Sequence, residues 1–171
     1  MGRPRCWTVT LENGSPLLRG RRVAGFSNDE ELFLMKDARV RFPYLLQDRL
    51  VQTGARYVEG PMYLDNTVIG GRIITGQNPW STWSTAEAMV RALGHEPAMR
   101  APGRDEQAVK VLAAYRRDGI DAARRVRQAH PDADKHLLLM HALVAGMGGR
   151  LGEAWHLLAL ALALALALAL G

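Results

Sequence analysis

The chain has 171 residues, 48% hydrophobic and 23% charged, with a formal net charge of +5 at pH 7, enough for one ordinary domain or a short domain with an extension. The positive charge is scattered arginine, with Lys36, Lys110 and Lys135 the only lysines; no helix carries a basic stripe with stacking aromatics, so no nucleic-acid partner is expected. One cysteine, Cys6, excludes an internal disulfide and a cysteine-based zinc site, and the opening M-G-R-P-R-C-W lacks an apolar h-region, so the chain reads as cytoplasmic without a secretory signal.

Residues 1–19 form a leader. Asn13-Gly14, set between apolar positions of Val9 to Leu18, predicts a hairpin or loop there. Arg22 to Phe26 is a short apolar run and reads as a buried strand. Ser27 or Asn28 then caps Asp29-Glu30-Glu31, acidic residues suited to the positive end of a helix dipole. Phe42 to Gln52 predicts a helix with Leu45, Leu46, Arg49 and Leu50 on one stripe, Pro43 in its first turn and Gly54 just past its end. Ala55 to Glu59 is the next strand. Thr67 to Thr75 predicts a hairpin that turns at Gly70-Gly71. After the loop Gly76 to Asn78, Pro79 opens a helix with Ala86, Met89, Val90 and Leu93 as its apolar face, ended by Gly94. Strand, helix, strand, hairpin and helix in this order are the tail of an open α/β sheet.

The Pro/Gly-rich stretch His95 to Arg104 marks a boundary. We therefore expect an α/β domain over 20–97, a linker over 98–104 and a helical extension over 105–171. In the extension, Ala108, Val111, Leu112 and Tyr115 share a face of a helix that stops at Gly119. Ile120 to His130 and Asp134 to Met147 follow, and a last helix begins near Glu153. Short links between such helices predict antiparallel αα-hairpins. The echo of G-I-D-A-A at Gly119 in L-G-E-A at Leu151 points to a helical repeat. The tail 157–170 alternates Leu and Ala. Strict alternation is a strand pattern, but both residues are strong helix formers and none is β-branched, so a helix apolar all round is expected. Such a helix is buried, self-associates or touches lipid. The run is shorter than the roughly 20 residues a bilayer needs; it reads first as a structural extension of the final helix, with self-association through an incomplete sheet or the apolar tail expected and membrane contact not.

Three motifs in order carry a resemblance: G-R-R-V-A-G-F-S-N-D-E-E from Gly20, F-P-Y-L-L-Q-D-R-L with G-A-R-Y-V-E-G-P, and G-G-R-I-I-T-G-Q-N-P before the Pro79 helix. Together they resemble the C-terminal half of a ThiJ/PfpI domain, a superfamily related to class I glutamine amidotransferases. The resemblance implies a partial flavodoxin-like α/β sandwich, here followed by the all-helical extension. It also implies a cysteine chemistry of glyoxalase, deglycase or hydrolase type, with the nucleophile on a strained strand-to-helix elbow beside a carboxylate. An elbow exposes the sulfur, and a helix N-terminus or neighbouring base sets its pKa. The family's nucleophile lies in the N-terminal half. Cys6 has Pro4 before it and the extended Trp7-Thr8-Val9-Thr10 after it, so it reads as an ordinary thiol. The expectation is a truncated protein without turnover of its own and with no catalytic residue or cofactor; the alternatives are a helical interaction scaffold, or an enzyme fragment completed by another chain.

The remaining site candidates lie at one rim. Gly76, Gln77 and Asn78 follow a strand and precede a helix, where open α/β sheets bind ligands and helix-start amides meet anions or carbonyls. The plainer reading of Gln77 and Asn78 is that they satisfy loop backbone. Tyr63, Asp65 and Asn66 in the preceding loop border the same cleft. His136 and His141 are five apart, off a common helical face, and no metal site is expected.

Overall fold

The structure, a computed structural model, describes residues 8–169, which divide after Ala98 into two compact units. The first is α/β. Its entry is a tight loop in which Gly14 takes a positive φ and Thr10 bridges to Pro16. Strand β1 (Arg22–Val23) runs parallel to β2 (Arg56–Tyr57). Between them lie α1 (Asn28–Leu34), α2 (Ala38–Arg41) and α3 (Leu46–Gln52). Strands β3 (Thr67–Gly70) and β4 (Ile73–Gly76) form an antiparallel hairpin, followed by a 3₁₀ turn (Pro79–Ser81) and α4 (Thr82–Ala92). Leu18, Val23 and Leu50 form a core cluster covered by Leu17, Leu46, Ala55, Tyr57 and Ile73.

Four local expectations are revised. The hairpin turns at Gly71-Arg72, because Gly70 still pairs with Ile73 inside the ladder. Gly70 is glycine for another reason: a Cβ there would overlap the carbonyl of Arg22 in β1. The helix expected from Phe42 begins only at Leu46, and Phe42 is extended at φ −99°, ψ 143°. A residue before proline is driven out of the helical region, and Pro43 follows Phe42. The expected apolar face of α4 is largely uncovered: Met89 and Leu93 are exposed. The helix instead approaches β4 through small polar residues, since a Cβ at Gly76 would stand 2.7 Å from both Ser81 Cβ and Thr85 Oγ1. Finally, the described strands form two two-stranded sheets and not one open sheet. The Ala24 N–H next to β1 bonds the Thr75 hydroxyl at 2.8 Å, so a side chain stands where a ladder bond to β4 would run.

The second unit is helical. Helix α5 (Arg104–Ala129) comprises two helical segments that meet at a kink at Gly119, whose φ of 81° and ψ of −171° are non-helical, so the first segment stops where expected. That conformation is open to glycine alone. Helices α6 (Lys135–Met147) and α7 (Leu151–Ala169) follow. The Leu/Ala run is helical as far as it is described, and Leu157, Leu160 and Ala161 are buried. Val111, Leu112, Leu138 and Ala145 complete the interior. Tyr115 and His156 Nδ1 share a hydrogen bond at 2.9 Å between α5 and α7. Among the described residues no helix is long and apolar enough to cross a membrane.

The start of α5 is held by Glu106. Its carboxylate accepts two bonds from Arg100, at 2.5 and 2.7 Å, and one from the Gly103 N–H at 2.7 Å. The Arg100 guanidinium, aided by Gly103, holds its pKa below the ordinary carboxylate value. A lowered folded pKa contributes stability that is complete above the unfolded value and disappears as pH falls through the folded one. Glu106→Gln is therefore expected to weaken the helical unit by about 1 kcal/mol at neutral pH, and to lose part of its acid sensitivity. Helical circular dichroism during acid titration checks both.

Candidate functional site

The site forms where α1, the loop before β3 and the end of β4 meet. Ser27 caps α1: its hydroxyl accepts the Glu30 N–H at 3.2 Å, and Glu30 Oε2 accepts the Ser27 N–H at 3.0 Å. This capping box turns the Glu30 carboxylate back over the helix start. Glu30 is fully buried. Its Oε1 accepts the Tyr63 N–H at 2.7 Å and Asn78 Nδ2 at 2.8 Å, while its own carbonyl accepts the Tyr63 hydroxyl at 2.8 Å. A buried carboxylate is tolerable only when its oxygens are satisfied in this way.

Tyr63 is the one non-glycine among the described residues with positive φ, at 55°. Such a conformation is costly and persists where its surroundings enforce it. Here both ends of the residue are tied to Glu30, and the ring packs edge-on to Trp80 and Phe33, with centroids at 5.7 and 6.1 Å. Burial, with the Glu30 charge behind it, pushes the Tyr63 phenol up to about 12. The group is a fixed hydrogen-bond donor at neutral pH.

Gln77 is the second hub. Its Oε1 accepts the Gly60 N–H at 2.7 Å and Asn66 Nδ2 at 2.9 Å, and its Nε2 donates to the Gly60 carbonyl at 3.3 Å. Asn66 also bonds the Val58 carbonyl, and its N–H reaches Ser81 Oγ. Asn78 donates to the Leu64 carbonyl at 2.8 Å and accepts the Trp80 N–H at 3.1 Å. Asp65 lies at the exposed margin, where Ser84 Oγ donates to it at 2.6 Å.

A cleft of about 480 Å³ opens on the other side of Gln77 and Asn78. Val23, Gly25, Phe26, Leu46 and Leu50 form one wall, and Thr75 to Pro79 the other. The structure thus brings Gly76, Gln77 and Asn78 to the cleft. Tyr63 and Asn66 stand behind them in the hydrogen-bonded layer, and Asp65 is off to the side. The amide groups of Gln77 and Asn78 bond the protein itself, leaving helix-start backbone and apolar side chains to face the opening. Among the described residues, no histidine or carboxylate lines the cleft. Cys6 lies outside the described residues. Among the described residues no three His, Cys, Asp or Glu side chains group to hold a metal ion.

Glu30, the centre of this network, is absent from the sequence-derived candidates. The S-x-x-E spacing of Ser27 and Glu30 is a capping-box signal, but nothing local points to partners 33 and 48 residues away.

No family model matches the chain. It is 34% identical over 84 residues to glyoxalase 3 of Candida albicans, covering 47% of this chain and 36% of that protein. It is likewise 34% identical over 86 residues to the glutathione-independent glyoxalase HSP31 of Saccharomyces cerevisiae, covering 48% of this chain and 36% of the relative. The chain therefore spans little more than a third of the length of these curated relatives. Among solved structures, the Rapid Encystment Protein 24 kDa of Francisella tularensis is 34% identical, with a TM-score of 0.48 over 52% of this chain and 38% of that one. The three ordered motifs between Gly20 and Pro97, and this level of identity over about half the chain, identify it as carrying a partial ThiJ/PfpI-family domain.

Proposed function

We propose that the α/β unit is one side of a ThiJ/PfpI-type sandwich, a cleft wall with no turnover of its own. The observation that carries this reading is the lining of the cleft, which among the described residues contains apolar side chains, amides and hydroxyls but no imidazole or carboxylate. Cysteine chemistry on a carbonyl needs a thiolate and a neighbouring group to set its pKa. The Glu30 network does not supply the second group, because both carboxylate oxygens accept bonds from within the fold. What the unit supplies is a rigid rim: Glu30, Tyr63 and Gln77 hold the loop ends that shape the opening. An active centre of the glyoxalase type, with a cysteine elbow from another chain, is the alternative for the same surface.

The test is a dicarbonyl assay. The purified 171-residue chain, incubated with methylglyoxal without glutathione, is expected to consume it no faster than buffer, and Cys6→Ala is expected to change nothing. Turnover that Cys6→Ala abolishes overturns the proposal. A second reading, the helical unit as an interaction scaffold, is favoured by one observation: the apolar stripe left exposed on α6 and α7.

A further inference from the structure

On α6, Leu139, Leu143 and Met147 recur every four residues; on α7, Leu151, Trp155 and Leu162 do so at spacings of four and seven. Such spacings place each set on one helical face. These six side chains are 36% to 73% exposed, with Leu151 and Trp155 the most open. Between them runs a groove of about 720 Å³ whose lining includes the small residues Ala142, Gly146 and Ala154. The helical unit therefore buries one side of the α6–α7 pair and leaves the opposite side apolar.

We propose that this face pairs with the same face of a second copy of the chain, placing α6 and α7 of both copies in a two-fold four-helix arrangement. Three observations select a second copy as the occupant. First, bulky side chains and a small-residue groove occur on the same face, and a two-fold interface needs both on one surface, because each copy must supply ridge and hollow. Second, the six side chains expose on the order of 700 Å², near the roughly 800 Å² that each partner of a stable interface buries. Third, none of the six is charged, so pairing the face with itself opposes no like charges. The nearby Arg150 and Glu153 are bonded to each other at 2.9 Å within one chain. Trp155 is the anchor, as large aromatic side chains dominate such interfaces.

The experiment is sedimentation equilibrium of the full chain from roughly 1 to 100 µM, the range in which an interface of this size associates. The expected mass at the upper end is twice 18.8 kDa. Leu143→Glu with Trp155→Glu is expected to weaken association on the order of a hundredfold. Met89→Glu with Leu93→Glu, on the exposed face of α4, is expected to leave it unchanged. Circular dichroism verifies that the variants are folded. Should the double glutamate variant lose helix, Leu143→Ser with Trp155→Ser replaces it and is expected to dissociate in the same direction. A wild-type mass of 18.8 kDa throughout the range overturns the proposal. So does dissociation by the α4 variant alone, or a monomer that instead co-sediments with phosphatidylcholine vesicles.

Discussion

Glu30→Ala is expected to unfold the α/β unit locally while leaving the helical unit intact. The substitution removes the acceptor of three N–H donors, those of Ser27, Tyr63 and the Asn78 side chain, all of them on buried residues. It also removes the half of the capping box that faces back from α1. Leaving a buried donor without an acceptor costs about 1–3 kcal/mol, so the three together are expected to cost at least about 3 kcal/mol. That is a large share of the stability of a domain this size. Tyr63 loses the acceptor for its N–H at its costly positive φ, while its hydroxyl keeps the Glu30 main-chain carbonyl. Glu30→Gln keeps the shape but is expected to cost about 1–3 kcal/mol. Both carboxylate oxygens accept from N–H groups, so either orientation of the amide turns an NH₂ toward a donor. The chain contains two units and need not melt in one step. Amide hydrogen exchange, read separately for residues 20–97 and 105–162, is the suitable measurement. Unchanged protection around Tyr63 and Asn78 in Glu30→Ala contradicts the assignment of Glu30 as the hub.

Gly70→Ala is expected to have a comparable effect for a steric reason. The added methyl would overlap the Arg22 carbonyl, a backbone atom that no rotamer change can move away. Relief requires β3 to shift from β1, which disturbs the buried Val23 and Val68. Overpacking against backbone in a tight core is expected to cost about 3 kcal/mol, the upper end of what an added methyl usually costs. Gly71→Ala is the matched control. Its φ of 75° penalises a side chain, but the nearest atom is the mobile Arg21 guanidinium at 3.3 Å. A loss of about 1 kcal/mol is expected there. Equal effects at the two positions would show that φ and not the approach of β1 governs this corner. Urea titration followed by the fluorescence of Trp80 and Trp83 separates the outcomes.

Several features were legible in the chain because their causes are local. The Asn13-Gly14 turn, the cap of α1, the position of Gly54 past α3 and the helicity of the Leu/Ala run follow from dihedral preferences and propensities of neighbouring residues. The ThiJ/PfpI resemblance was legible too, since three ordered motifs persist as sequence. Other features were not. Pattern alone assigned Met89 and Leu93 to a buried face, yet α4 sits on β4 through Ser81 and Thr85, because Gly76 allows a close polar approach. Pattern also made Gly70 half of a turn, when its hydrogen-bonded pairing and its contact with β1 require it inside a strand.

The order of strands and helices, the caps and the family motifs were thus determined by the sequence itself, since each depends on residues within a few positions of one another. The tertiary structure alone decided that Glu30 unites Ser27, Tyr63 and Asn78, that Gln77 faces inward to Gly60 and Asn66, and that one side of α6–α7 stays bare. The physical reason is range. A dihedral preference acts along the backbone, whereas satisfying a buried carboxylate or covering an apolar stripe depends on which distant groups the fold brings within a few ångströms.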